Sequence, residues 1–370
     1  MQVPPLEDTM AALLTREKLL VLALLSAVLA YSVEHWLLGS GQVTARVSAI
    51  LLIAAIVCAS MRVAHHAEVL AEKVGDPYGT MILTLAAVLV EVIILAIMMR
   101  NDASPTLVRD TIYSAVMLDI NGILGLAALM GGLKHGEQSY NDDSGRTYGV
   151  MILTAMGISM VVPEFIPDAQ WHIYSAFTIV IMIVLYAVFL RMQTGPHSYF
   201  FSYSYPDKRK RSGDVVEADT SRTESIALLV VGVVVIGALA EVMSKALDLG
   251  LEGTGAPPVI SAILVATISA GPEILTALRA ALANRMQSVV NIALGASLST
   301  VILTVPIMEG IALYTGQPFI MAMTPVQTVM VLITLIVSAI NLNDGQTNAI
   351  EGMTHFVLFA TFLMLACMGL

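Results

Sequence analysis

The 370-residue sequence has few charged residues and almost no cysteine. Only 12% of its residues are Asp, Glu, Lys or Arg, whereas a soluble domain carries about 25%. Its two cysteines, Cys58 and Cys367, both lie within apolar stretches, so no disulfide framework is indicated. The net charge of −10 is not concentrated in an acidic or basic tail, and nothing in it indicates a nucleic-acid partner. The composition therefore excludes both an ordinary soluble domain and a small disulfide-rich one.

Long apolar runs occupy most of the chain, which is 57% hydrophobic with a mean hydropathy of +0.82. A helix of about 20 apolar residues crosses the roughly 30 Å hydrocarbon core of a bilayer. Eleven runs of suitable length occur, at about 19–38, 43–70, 78–99, 110–133, 148–167, 172–192, 224–248, 257–283, 287–314, 324–341 and 346–369. A transmembrane β-barrel would instead show alternating segments of about ten residues. The sequence predicts an all-α polytopic membrane protein with 11 transmembrane helices, although the first run could also be a cleaved signal peptide.

The distribution of Lys and Arg predicts the orientation in the membrane. With the N-terminus in the cytoplasm, only Arg46, Arg100, Arg109 and Lys245 of the 18 basic residues fall outside. Cytoplasmic loops of membrane proteins carry an excess of Lys and Arg. We therefore expect a cytoplasmic N-terminus and a C-terminus outside.

The chain divides into two halves around a polar stretch. Residues 193–223 are rich in Pro, Ser and charge, as is typical of a cytoplasmic linker, and their basic run Lys208 to Arg211 anchors a loop or binds anionic lipid. We predict an N-terminus with a leading helix over 1–42, followed by five-helix repeats over 43–192 and 224–370. Because each repeat has an odd number of spans, the two must insert in opposite orientations, as in many secondary transporters.

The same series of polar features occurs in both halves. Each half has a carboxylate near the end of its first span, then a turn, then a carboxylate in the middle of the next span, then a small polar cluster. In the order of the chain these are Glu68, Glu91 and Asp119–Asn121–Gly122, and then Glu241, Glu273 and Ser297–Ser299–Thr300. This order supports an inverted repeat with a site between its halves.

The two glutamates in mid-membrane predict a cation site. An ionised carboxylate there is costly unless it meets a cation, a proton or water. Burial disfavours the ionised form, so a pair of carboxylates could hold either protons or a divalent cation. Oxygen ligands suit Ca²⁺ or Na⁺, and the predicted metal ligands are Glu91, Glu273, Asn121, Ser299, Thr300 and a carbonyl freed at Gly271 by the following Pro272. The alternative is that protonated glutamates merely fasten helices together.

Other polar residues mark a possible route to this site. Glu68, Glu241, Asp119 and His66 are assigned to a proton or ion pathway, although the stretch around His66 could equally be the solvated end of a helix. Glu34, Glu164 and Glu309 lie near predicted span ends, and we expect them at the membrane interface.

Several stretches resemble the calcium/proton antiporter branch of the cation/Ca²⁺ exchanger superfamily. RVAHHAEVLAEKVGDPYGTMILTLAAVLVEV, GASLST and DGQTNAIEG are similar to motifs of that family, most closely of the bacterial calcium(sodium)/proton antiporter type. The resemblance covers about residues 60–370. It implies one extra helix plus two inverted five-helix repeats, a bacterial inner (plasma) membrane location, and Glu91 and Glu273 as ligands and proton acceptors. It also implies transported Ca²⁺ and H⁺, with Na⁺ or K⁺ as alternatives, and no cofactor.

The sequence departs from the family pattern before Glu91. The family has Gly-Asn-Ala ahead of each glutamate, whereas Ala87 to Val90 precede Glu91 here, so the first of the two helices is expected to be unbroken. The predicted function is Ca²⁺/proton exchange by alternating access. The alternatives are a monovalent cation/proton antiporter, a passive cation channel, and an intramembrane enzyme, which would need HExxH or an equivalent motif.

Overall fold

The computed structural model describes residues 15–74, 78–101, 104–195, 197–203 and 221–370. Within these ranges twelve helices form a bundle: α1 Lys18–Gly39, α2 Gln42–Val74, α3 Tyr78–Asn101, α4 Leu107–His135, α5 Asp142–Phe165, α6 Trp171–Thr194, α7 Arg222–Leu251, α8 Val259–Ser269, α9 Gly271–Leu282, α10 Met286–Thr315, α11 Pro325–Asn341 and α12 Ala349–Cys367. Short 3₁₀ turns lie at Val162–Phe165 (the end of α5), Asp168–Gln170 and Ser198–Phe201. The predicted all-α membrane fold is confirmed.

In the described part of the chain, nine helices are long and apolar enough to cross a membrane. Helices α8 and α9 meet at an angle of 57° and together form a tenth, broken span. The eleventh predicted span corresponds to α11, an apolar helix of 17 residues that is shorter than the others. Every predicted run therefore has a helix, but the count of eleven spans is not confirmed by length alone.

Among the described helices, three widen locally into π-helix, at Met117–Leu124 of α4, Gly157–Val161 of α5 and Thr300–Thr304 of α10; such segments are rare and are often found at functional sites. Helix α3 is continuous through Glu91, as its sequence predicted, whereas the chain breaks between α8 and α9 just before Glu273. The break follows from Pro272, which has no N–H to donate to the carbonyl four residues earlier.

Small residues allow close helix contacts in the core. A Cβ at Gly125 of α4 would lie 2.8 Å from the Cβ of His355 on α12, and one at Gly352 would clash with the backbone of Leu129. Gly232 of α7 similarly faces Val63 of α2. Because lipid gives no hydrophobic drive for helices to associate, such close packing holds membrane bundles together.

Two short strands join loops from the two predicted halves. Strand β1, Gln138–Ser139, pairs antiparallel with β2, Gln346–Thr347. Part of the stretch NLNDGQTNAIEG thus pairs with the loop between α4 and α5 instead of forming a plain hairpin. Most of the predicted linker, including Lys208 to Arg211, lies outside the described residues, and the division into repeats stays a prediction.

Candidate functional site

A cavity of about 950 Å³ runs between the helices and collects most of the predicted carboxylates. Glu91 of α3, Asp119 of α4 and Glu273 of α9 line it together with the hydroxyl residues Ser299 and Thr300 of α10. Glu91 and Asp119 are buried, at 3% and 2% exposure, whereas Glu68 and Arg279 also line it and are exposed. The cavity therefore connects buried acidic groups with one end of the bundle.

The carboxyl group of Glu91 is held from one side only. The hydroxyls of Thr300 and Thr304 donate to its Oε2 at 2.9 and 3.2 Å. These two threonines begin and end the π segment of α10, so the widened turn presents both hydroxyls to α3. Within the described residues, Oε1 of Glu91 is buried without a hydrogen-bond partner. One carboxylate oxygen is thus available for a proton or a cation.

Asp119 forms part of the same acidic group. It lies in the π segment of α4, and Ser297 Oγ donates to its Oδ2 at 3.1 Å. Its carboxyl group is close enough to interact electrostatically with Glu273 and with Glu91. Glu273, partly exposed to the cavity, occupies the first turn of α9, where the helix dipole favours a negative charge. The sequence predicts Asp119 as a pathway residue, and in the structure it lines the same cavity as the two glutamates.

Asn121, predicted as a ligand, faces away from this cavity. Its Nδ2 donates to Thr334 Oγ1 of α11 at 2.7 Å, and its Oδ1 lies 3.0 Å from Nδ1 of His355 on α12. The side chain is fully buried and does not line the cavity. In this structure Asn121 fastens α4 to α11 and α12, and its role as a ligand stays a prediction. Its amide is already occupied by these partners.

The remaining predicted ligands lie at or next to the cavity. Thr300 lines it and binds Glu91, as described above. Ser299 also lines it, but its hydroxyl donates to the carbonyl of Gly295 in its own helix at 2.7 Å. Gly271 begins α9 and packs near Val57, while its neighbour Pro272 reaches the cavity wall.

The two pathway glutamates have different surroundings. Glu68 lines the cavity and is exposed. Glu241 lies outside the cavity lining in an ion-pair cluster, with Arg100 Nη2 at 3.2 Å and Lys245 Nζ at 3.4 Å from its Oε1. Lys245 also pairs with Glu34 at 2.9 Å. The sequence predicts the same role for both glutamates, whereas in the structure only Glu68 lines the cavity and Glu241 is held in ion pairs.

His66 does not line the cavity, and its place in a proton or ion pathway stays a prediction. It is 1% exposed, and its Nε2 lies 3.3 Å from Oε2 of Glu17, just before α1. Burial by itself raises the pKa of Glu17, but the hydrogen bonds and charge of Arg62 and His66 outweigh it and lower that pKa. His65, the adjacent residue, is the one that lines the cavity.

Glu309 is a buried membrane carboxylate that the sequence reasoning placed at the interface. It is 2% exposed in α10, with Thr178 Oγ1 at 2.5 Å and Ser175 Oγ at 3.3 Å, both from α6. It does not line the cavity. Glu309 lies less than two turns from the end of α10, as its position in the predicted span indicates, but α6 packs against α10 there and buries it. Its sequence neighbours gave no signal for the contact with α6.

The acidic groups do not form a ready-made metal centre. Across the described ranges, no three side chains of His, Cys, Asp or Glu are gathered closely enough to hold a metal ion. The cavity instead offers separated carboxylates and hydroxyl oxygens, which suit a hard cation that retains some of its water. Such groups can bind protons or a cation.

The predicted halves also match a known family. Residues 44–195 and 224–368 match the family described as sodium/calcium exchanger protein. The chain belongs to this family. Members of the sodium/calcium exchanger family are cation transporters, so the protein is a membrane-embedded cation exchanger and not an enzyme.

Two related sequences and one related structure are similar to this chain over most of its length. The chain is 34% identical over 336 residues to the sodium-potassium/proton antiporter ChaA of Escherichia coli, covering 89% of this chain and 92% of that one. It is 23% identical over 370 residues to a Ca²⁺/H⁺ antiporter of Synechocystis sp., covering 95% and 97%. The crystal structure of the Ca²⁺/H⁺ antiporter protein YfkE shares the fold, with a TM-score of 0.76, 18% identity and coverage of 95% and 98%.

Proposed function

We propose that the protein exchanges Ca²⁺ for protons across the membrane by alternating access. Glu91 and Glu273 hold either the cation or protons, and Asp119 supplies a third carboxylate. Thr300 and Thr304 fix the carboxylate of Glu91 from one side, leaving its other oxygen for the transported ion. Two inverted repeats, over 43–192 and 224–370, surround this site.

One observation carries the proposal. Three acidic side chains from three different helices line a single cavity that reaches an exposed end of the bundle. Ionised carboxylates in a membrane are costly unless a cation, protons or water compensate their charge. If a bound cation left without replacement, the negative charges of these carboxylates would be left uncompensated. Proton binding on cation release removes this cost, which couples the two ions.

The identity of the cation has two candidates. Ca²⁺ is supported by the cluster of carboxylates and by the names of YfkE and the Synechocystis relative. Na⁺ or K⁺ is supported by the name of the Escherichia coli relative and by the continuous α3, which frees no backbone carbonyl before Glu91. A passive channel would need no proton coupling, so measuring that coupling separates it from both antiporters.

The test uses the purified full chain in proteoliposomes with an imposed pH gradient and a pH-sensitive dye inside. Adding Ca²⁺ outside should release protons from acid-loaded vesicles, and Na⁺ and K⁺ are added in parallel at equal ionic strength. Cation flux that proceeds without any proton movement would contradict antiport. A proton response to Na⁺ or K⁺ and none to Ca²⁺ would replace the proposed substrate.

We also propose an orientation and location. The end of the bundle to which the cavity opens carries Arg279, and the linker that leaves α6 lies at the same predicted side. The excess of Lys and Arg at this side favours the cytoplasm. The cavity would thus face the cytoplasm of a bacterial inner membrane, with the C-terminus outside. Proteolysis of a C-terminal tag in intact cells and in everted vesicles tests this assignment.

A further inference from the structure

The ion-pair cluster around Glu241 joins three helices at the end of the bundle opposite the cavity opening. Arg100 of α3 and Lys245 of α7 both contact Oε1 of Glu241, and the hydroxyl of Tyr31 on α1 donates to its Oε2 at 3.3 Å. Arg100 lies in the last turn of α3, the helix that carries Glu91. The cluster therefore ties the Glu91 helix to α7 at this end.

At the other end the corresponding groups are apart. Glu68 of α2 and Arg279 of α9 both line the cavity and are exposed. Neither has an ion-pair partner or a side-chain hydrogen bond in the part of the chain that the structure describes. Arg279 lies in the last turn of α9, the helix that carries Glu273. Without such a partner, the positive charge of Arg279 would repel cations that enter the cavity.

The two sets of residues correspond under the predicted inverted repeat. Glu68 matches Glu241, and each arginine lies toward the C-terminal end of the helix that carries a membrane glutamate. Because the repeats are antiparallel, Arg100 and Arg279 lie at opposite ends of the bundle. The pair Arg100–Glu241 is closed, and its counterpart is open at the end where the cavity is open.

We propose that Glu68 and Arg279 form an ion pair that closes the cavity when Arg100 and Glu241 separate, so that the two pairs alternate during exchange. This inference rests on the proposed alternating-access function and adds the residues that bias which end is open. In the closed form, Arg279 neutralises Glu68 and blocks the cavity mouth. In the open form, Glu68 is free to attract the incoming cation.

The strength of such pairs suits a switch that must reverse in each cycle. Arg100 is 64% exposed and Glu241 32% exposed. An exposed ion pair changes an equilibrium by about 1.4- to 5-fold. Each pair therefore biases the balance between the two states without trapping either. A fully buried pair would be harder to break than the cycle allows.

The first test reverses the charges of the open pair. Glu68→Arg and Arg279→Glu are each expected to slow Ca²⁺-driven proton release several-fold, because each places like charges at the closing mouth. The double variant restores the attraction and should recover most of the wild-type rate. Arg285→Glu is the matched control, since Arg285 is exposed near the same end and does not line the cavity. It should exchange at the wild-type rate.

The second test reads the open state directly and needs no transport. A single cysteine is placed at Thr276, an exposed residue of the cavity, after Cys58 and Cys367 have been replaced by serine. An impermeant maleimide is applied from the cavity side. Arg100→Gln weakens the closed pair at the far end and should slow labelling by up to about 5-fold. Arg279→Gln removes the closing partner and should not slow it.

The outcomes distinguish the inference from the function on which it rests. Recovery in the double charge reversal, with slower labelling in Arg100→Gln, supports alternating pairs. No recovery, in a protein whose wild type exchanges Ca²⁺ for protons, overturns the inference and leaves the proposed function standing. If the wild type shows no coupled exchange, the proposed function fails and equal labelling in the two glutamine variants also overturns the pairs. Size-exclusion profiles show whether each variant is folded. If a charge-reversal variant does not fold, the labelling experiment alone decides the inference.

Discussion

Replacing Glu91 by glutamine is the most direct perturbation of the candidate site. Thr300 and Thr304 donate to Oε2 at 2.9 and 3.2 Å, and the amide oxygen of glutamine can accept both bonds. The amide NH₂ then takes the position of Oε1, which has no partner among the described residues. One unpartnered polar atom replaces another, so the free energy of unfolding should change by less than about 1 kcal/mol.

The effect on cation binding should be much larger than the effect on folding. Glu91 is 3% exposed, so a cation bound to it is largely removed from water. Removing one partner of a buried charge pair costs about 3–5 kcal/mol. This corresponds to a loss of at least about 100-fold in Ca²⁺ affinity, because each 1.4 kcal/mol is tenfold. The neutral amide also cannot take up and release a proton, so coupled exchange should be abolished.

The assay combines two measurements on the purified variant. Ca²⁺ binding is measured by calorimetry in detergent, and Ca²⁺-driven proton release is measured in proteoliposomes. Glu309→Gln is the matched control, because Glu309 is also a buried membrane glutamate bonded by two hydroxyl groups but lies away from the cavity. It should retain exchange. Near-normal exchange in Glu91→Gln, or equal loss in both variants, would refute the reasoning.

Three further variants separate ligands from packing residues. Asp119→Asn should weaken Ca²⁺ binding at least about tenfold, because it removes one negative charge from the site. The protein should still fold, since Ser297 can donate to the amide oxygen. Calorimetry tests this, and an unchanged affinity would remove Asp119 from the site. Asn121→Ala should lower the free energy of unfolding by about 1–3 kcal/mol, because its buried partners lose their bonds, yet exchange per folded molecule should persist. Gly352→Ala should destabilise the protein by about 1–3 kcal/mol or more through overpacking against α4, which thermal unfolding in detergent measures; an unchanged melting temperature would contradict the close contact.

Helix types and the main acidic residues could be predicted because their signals are local. Apolar runs indicate membrane helices, and Gly271-Pro272 indicates a break, since proline removes a hydrogen bond from the helix. The absence of such a pair before Glu91 correctly predicted a continuous α3. The cost of a carboxylate in lipid is also local, so Glu91 and Glu273 could be selected without any knowledge of their neighbours.

The direction in which each side chain points could not be predicted in the same way. Asp119 and Asn121 are two residues apart, which places them about 200° apart around an α-helix, so only one of them can face the cavity. The choice depends on the π segment at Met117–Leu124, which shifts the register of α4 and has no clear sequence signature. The same limit applies to the histidine pair: the sequence analysis selected His66, but the adjacent His65 is the one that lines the cavity. Glu309 was misplaced because its partners lie on α6, far away in sequence.

The two membrane glutamates reach a similar position by different structural means. Glu273 lies in the first turn of α9, where unpaired N–H groups and the helix dipole favour a negative charge by about 0.3–1 kcal/mol. Glu91 lies within a continuous helix that offers no free N–H group, and the π segment of α10 supplies two hydroxyl donors instead. Hydroxyl groups can rotate and either donate to a carboxylate or accept from a carboxylic acid, whereas N–H groups only donate. The environment of Glu91 therefore accommodates both its charged and its protonated form.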